Sequence, residues 1–171
     1  RPEHSEQALA GELARAVVAL GAEPVVLLVA GSSRLAWRHP LPTAAPLGRR
    51  AMAVVGARRH GLVVNLTRWV RFGAADAAEA AADAALREVE AAAFAATRPG
   101  RTLAEALADI RDAYPAHGFD AEEWTRHHQG GPTGYLGRDP KATLATHDLI
   151  RAGQAFAWNP SAPGAKVEDT V

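Results

Sequence analysis

Apolar residues recur at helical spacing near the start of the chain, where Leu9, Leu13, Val17 and Leu20 share one face between Ser5 and Gly21. A serine ahead of such a run can accept from the first free backbone amides, and a glycine after it tolerates the left-handed backbone that ends a helix. The pattern predicts an amphipathic helix. Pro24 to Gly31 is continuously apolar between breakers, which predicts a strand buried on both faces. A proline-bearing loop spans Arg38 to Leu47. The β-rich runs Ala51 to Gly56 and Gly61 to Phe72 flank Ala57-Arg58-Arg59-His60, predicting a hairpin with a solvated basic turn.

The pattern then changes period. Ala74 to Thr97 is alanine-rich, with Asp76, Glu79 and Asp83 near its start, where carboxylates complement a helix dipole, and Arg98-Pro99-Gly100 ends it. Thr102 and Glu105 have capping-box spacing ahead of Leu103, Leu107 and Ile110, predicting a third helix that stops near Tyr114-Pro115. Gln154 to Trp158 and Ala165 to Val171, around Pro160 and Pro163-Gly164, read as a second pair of strands. Helices separated from hairpins in this order define an α+β fold with helices on one face of a mainly antiparallel sheet.

Composition narrows the function. A chain of 171 residues suits one domain, 1–171; its opening at Arg1 without methionine and its end in a strand-like run predict trimming at both ends. Nineteen basic residues balance nineteen acidic ones, so no global field favours nucleic acid or a membrane surface. The absence of cysteine excludes disulfides and thiolate chemistry and suits a cytoplasmic protein. No Gly-x-Ser-x-Gly, His-Glu-x-x-His or Gly-x-Gly-x-x-Gly motif is present.

Several segments in one order carry a resemblance. Arg38-His39-Pro40, Asn65-Leu66-Thr67-Arg68, His127-His128-Gln129-Gly130-Gly131, Tyr135-Leu136-Gly137-Arg138, Asn159-Pro160 and Val167-Glu168-Asp169 resemble the creatinase and Xaa-Pro aminopeptidase family, called M24 or pita-bread. The resemblance implies a curved, mainly antiparallel sheet with helices on its outer face, and a homodimer. It also implies an N-terminal family domain, which this sequence does not contain.

Metal-dependent members hold two divalent ions with two aspartates, a histidine and two glutamates. The family pattern lays these on Val54, Asn65, His127, Asn159 and Glu168, so His127 and Glu168 alone keep a ligand's chemistry. Two such ions bring four positive charges, which one carboxylate cannot balance. The expectation is no metal and no other cofactor. Creatinase, similar in fold, works without metal through a histidine at the position of His39; a neutral imidazole can pass a proton in either direction.

The resemblance thus implies His39, His127 and Glu168 as catalytic candidates, with Asn65, His128, Tyr135, Arg138 and Asn159 as substrate-binding ones. Taken singly, each has a structural reading: His39 as a loop cap beside Pro40, the paired histidines as turn residues, Trp124 and Trp158 as packing, Arg68 and Arg138 as ion-pair partners. The leading expectation is metal-independent hydrolysis of a C–N bond in a small cationic or peptide-like substrate. The alternatives are a non-catalytic binding module and, third, a metal-dependent Xaa-Pro aminopeptidase.

Overall fold

A computed structural model of the chain describes residues 1–171. Helix α1 spans Glu6–Ala19, and the Ser5 hydroxyl accepts from the Ala8 amide at 3.1 Å, as its N-cap spacing predicts. Strands β1 (Glu23–Ala30), β2 (Arg50–Arg59) and β3 (Leu62–Arg71) form an antiparallel sheet in the order β1-β2-β3. The turn between β2 and β3 is His60-Gly61, both at positive φ, so a two-residue connection matches the twist of its strands. Strand β1 differs from its expected burial on both faces. Only Leu28, Val29 and Ala30 are buried, because β1 lies at the sheet's edge and β2 takes the central, covered position.

Helix α2 spans Ala77–Ala96 behind an Asp76 cap, and helix α3 spans Leu103–Ala116 behind the Thr102/Glu105 capping box. Pro115 does not halt α3 before itself. It sits in the last turn, where a proline disturbs little of the remaining hydrogen-bond ladder. Both helices pack on a second sheet made of β4 (Gly130–Thr133), β5 (Ala155–Trp158) and β8 (Asp169–Thr170), in the order β4-β5-β8. A small hairpin, β6 (Ser161–Ala162) and β7 (Ala165–Lys166), turns at Pro163-Gly164, and the expected final strand Ala165 to Val171 is divided at Val167-Glu168, between β7 and β8.

Strand β4 has no counterpart in the sequence pattern. Gly-Gly-Pro is poor strand chemistry, but the approach of β5 demands it: a Cβ on Gly130 would lie 2.3 Å from the Ala157 carbonyl oxygen. The main core fills the space between α2, α3 and this second sheet, with Leu86, Val89, Leu107, Ile110, Tyr114 and Trp158 buried together. Smaller clusters lie on the two faces of the first sheet.

Hydrogen bonds between β3 and the chain's last strand region join the two sheets. The Thr67 amide donates to the Glu168 carbonyl at 2.9 Å, and the Asn65 amide donates to the Thr170 hydroxyl at 2.8 Å. No helix is long and apolar enough to cross a membrane.

Candidate functional site

The seam between the sheets opens into a pocket of about 250 Å³. Val26, Leu28 and Val54 supply its apolar wall, and Asn65, Asn159 and Glu168 reach it from β3 and the second sheet. His39, His128, Arg138, Lys141 and Lys166 complete the lining. Six side-chain positions named from the resemblance for catalysis or binding, His39, Asn65, His128, Arg138, Asn159 and Glu168, therefore meet at one place.

Glu168 is buried and fully engaged. One carboxylate oxygen accepts from the Arg138 guanidinium and the other from the Thr67 hydroxyl, each at 2.8 Å. Arg138 is thus an ion-pair partner within the pocket wall, and both of the oxygens that a substrate cation or metal would need are occupied. Asn65 is held more loosely, its side-chain amide donating to Thr133 Oγ1 and to the Gly137 carbonyl at 3.4 Å each. Gly56, opposite Asn65 in the β2–β3 register, leaves space for it: a Cβ there would meet Asn65 Oδ1 at 2.9 Å. Asn159 is buried and its side-chain oxygen has no hydrogen-bond partner.

The three histidines form a cluster. The His39 and His128 rings stack with centroids 5.7 Å apart, and His127 meets His39 edge-on at 5.5 Å. His39 is exposed at the pocket mouth, and its loop is anchored by the neighbouring Arg38, which pairs with Glu123 and donates to Ser161 Oγ. Burial and the Lys166 charge hold the His39 imidazole below its ordinary range, against a smaller opposing pull from Glu168. His128 lines the pocket and is pushed down to about 4, chiefly by burial and then by Lys141. Both imidazoles are neutral at pH 7.

Two candidates stand elsewhere. His127 lies behind the pocket lining, bonded through Nε2 to Ser161 Oγ, and burial pushes it down to about 3. Tyr135 is 80 % exposed and lines a separate groove with Leu62 and Leu136, because the turn after β4 carries it past the end of the first hairpin. It takes no part in the pocket.

Sequence reasoning passed over Lys166. Its side chain is buried in the pocket wall, and its ammonium finds one partner, the Arg38 carbonyl at 3.4 Å. Burial lowers its pKa, opposed by Glu168. A lysine two residues before Glu168 in a strand-like run was a usable signal, since alternate positions share a face. No three side chains of the histidine, aspartate or glutamate type converge in a metal-holding group.

The curved pair of sheets backed by helices, with a pocket on the seam, defines the pita-bread class. The chain belongs to metallopeptidase family M24, whose model matches residues 1–171. A dipeptidase PepE from Mycobacterium ulcerans is similar in structure, with TM-score 0.85 and 27% identity over 100% of this chain and 48% of its own. An X-Pro aminopeptidase from Thermotoga maritima superimposes with TM-score 0.88 at 18% identity, covering 100% of this chain and 51% of its own. A prolidase from Pyrococcus horikoshii gives 0.86 at 20% identity, over 99% and 51%. The chain spans about half the length of these proteins. No curated protein matches it.

Proposed function

We propose that this M24 domain hydrolyses a C–N bond of a small peptide-like substrate without the family's two metal ions. The observation that carries this reading is the meeting of His39, Asn159 and Glu168 in one pocket. Family membership and relatives described as a dipeptidase, a prolidase and an X-Pro aminopeptidase favour a peptide-like substrate.

The residues present do not fit a dinuclear centre. Val54 donates nothing, Asn65 and Asn159 are neutral, and Glu168 is committed to Arg138 and Thr67. Two further cations would sit beside Lys166, Lys141 and Arg138 with no free carboxylate to balance them. No step is therefore routed through metal. A neutral His39 takes a proton from water as the oxygen adds to the substrate carbonyl carbon. It then returns the proton to the leaving nitrogen as the C–N bond breaks. The same basic side chains disfavour the cationic substrates admitted by the sequence alone.

Release of free amine from a panel of Xaa-Pro dipeptides, measured with chelator present, tests the reading. Turnover that survives chelation and falls at least about a hundredfold in His39→Ala supports it. Turnover that chelator abolishes and manganese restores would sink it.

A second reading, a binding module without turnover, is favoured by one feature: Arg138 and Thr67 saturate the carboxylate that chemistry would use. Under it, peptides bind to the pocket in calorimetry and His39→Ala changes nothing in the product assay. Family resemblance also motivates a homodimer, which light scattering on the eluting protein tests.

A further inference from the structure

We propose that the pocket is built for an anion, and that Lys166 with Lys141 holds the carboxylate of its ligand. The substrate class narrows accordingly, from peptide-like molecules to those presenting a free carboxylate. This rests on the peptide-like reading above for the choice of carboxylate, and on the pocket's own charges for the sign.

Those charges are unequal. The lining holds three cationic side chains, Arg138, Lys141 and Lys166, against a single carboxylate, Glu168. Arg138 and Glu168 neutralise each other at 2.8 Å. Arg38, the nearest other cation, is spent on Glu123 and Ser161 outside the lining. Lys141 and Lys166 remain, and neither forms an ion pair.

Lys166 is the more telling of the two. An ammonium carries three donors, and this one is 3% exposed with a single long bond to a backbone carbonyl. Burying a cation so poorly paired is costly unless something anionic arrives to meet it. The pocket that Lys166 lines is open and of a size for an amino acid or dipeptide. Lys141 stands exposed at the rim, where it can close over the same carboxylate. The unpartnered Asn159 oxygen on the same lining offers the ligand an acceptor for an N–H. A peptide offers both groups: a carboxylate at one end and amide or amine donors along its length.

Calorimetric titration of the whole chain with N-acetylproline, N-acetylprolinamide, methylguanidinium and inorganic phosphate tests the proposal without requiring turnover. N-acetylproline should bind at least about ten-fold tighter than its neutral amide, the value of one charge-assisted hydrogen bond. Lys166→Met should abolish that preference, Lys166→Arg should keep it, and Lys141→Gln should reduce it, with thermal melts of each variant confirming the fold. Equal or tighter binding of the amide, of methylguanidinium or of phosphate overturns the assignment, as does a preference unchanged in both Lys166→Met and Lys141→Gln. Carboxylate preference without any turnover retains this proposal and removes hydrolysis, whereas turnover without the preference does the reverse.

Discussion

Trp158 and Asn159 are neighbours in the chain and serve opposite regions. Trp158 is fully buried in the helix-backed core, stacked on Phe156, with its indole N–H donating to Thr97 Oγ1 at 2.8 Å. Asn159, one residue on, is equally buried but faces the pocket with its side-chain oxygen unmatched. The contrast extends beyond this pair. Of the eight buried side-chain polar atoms without a partner, four belong to His127, His128, Arg138 and Asn159 at or behind the pocket. The other four, on Arg50, Arg71, Glu90 and Trp124, are scattered, whereas the pocket gathers its unmatched donors and acceptors in one place, the usual mark of a site shaped for a ligand rather than for stability.

The sharpest test of the contrast removes the core's largest side chain. Trp158→Ala should cost about 3–5 kcal/mol in urea unfolding, because the helices cannot collapse into the space. A loss under about 1 kcal/mol would mean that this region is no better packed than the pocket.

Within the pocket, Arg138→Ala should cost nearly as much, about 3 kcal/mol, by leaving Glu168 buried and unpaired. The double variant Arg138→Met with Glu168→Gln should recover most of the loss. If the single variant is as stable as the parent, the pair is solvated and the pocket's charge balance must be redrawn.

Glu90 breaks the pattern from the core side, since one of its carboxylate oxygens is buried without a partner at the edge of α2. Burial, helped by Asp169, raises its pKa to about 7. The raised value means the neutral acid favours folding: that stability is present below about pH 4.5 and is lost as pH rises through about 7. Glu90→Gln should therefore stabilise the protein by roughly 1–2 kcal/mol at pH 8, after allowance for solvent screening, and by nothing below pH 4.5. The histidines slope the other way. With folded values near 3 and 4, His127 and His128 contribute stability above about 6.5 that is lost as pH falls through those values. Urea melts of Glu90→Gln between pH 8 and pH 4 should expose this acid loss without the opposing slope of Glu90.

The smallest effect lies in a helix remote from both regions. Ser5→Ala removes the α1 cap and should cost about 1 kcal/mol without changing ligand binding.

Local chemistry was readable where a few neighbouring residues decide the outcome. The Ser5 cap, the Thr102/Glu105 box and the first hairpin needed only short-range signals, and the order of the His127, Asn159 and Glu168 segments carried the family. The site's electrostatics were not readable in that way. That Glu168 is neutralised depends on Arg138, 30 residues away, and on Thr67, 101 residues away. Lys166 was visible as a residue but not as a buried one, since the turn at Pro163-Gly164 and the loop carrying Arg38 together enclose it. Strand β4 escaped because glycine and proline signal a break, and only the closeness of β5 makes them fit.

The bonds from Asn65 and Thr67 to residues 168–170 have a consequence in time. They close loops of 101 and 105 residues, whereas each hairpin and capped helix closes over a few. Such distant pairings come late in folding, because the entropy of closing long loops must be met before they stabilise anything. As the chain leaves a ribosome, its helices and first hairpin can form while the pocket still lacks a wall. The binding cavity thus forms later than the first hairpin and the capped helices, completed only when residues 166–170 dock against β3.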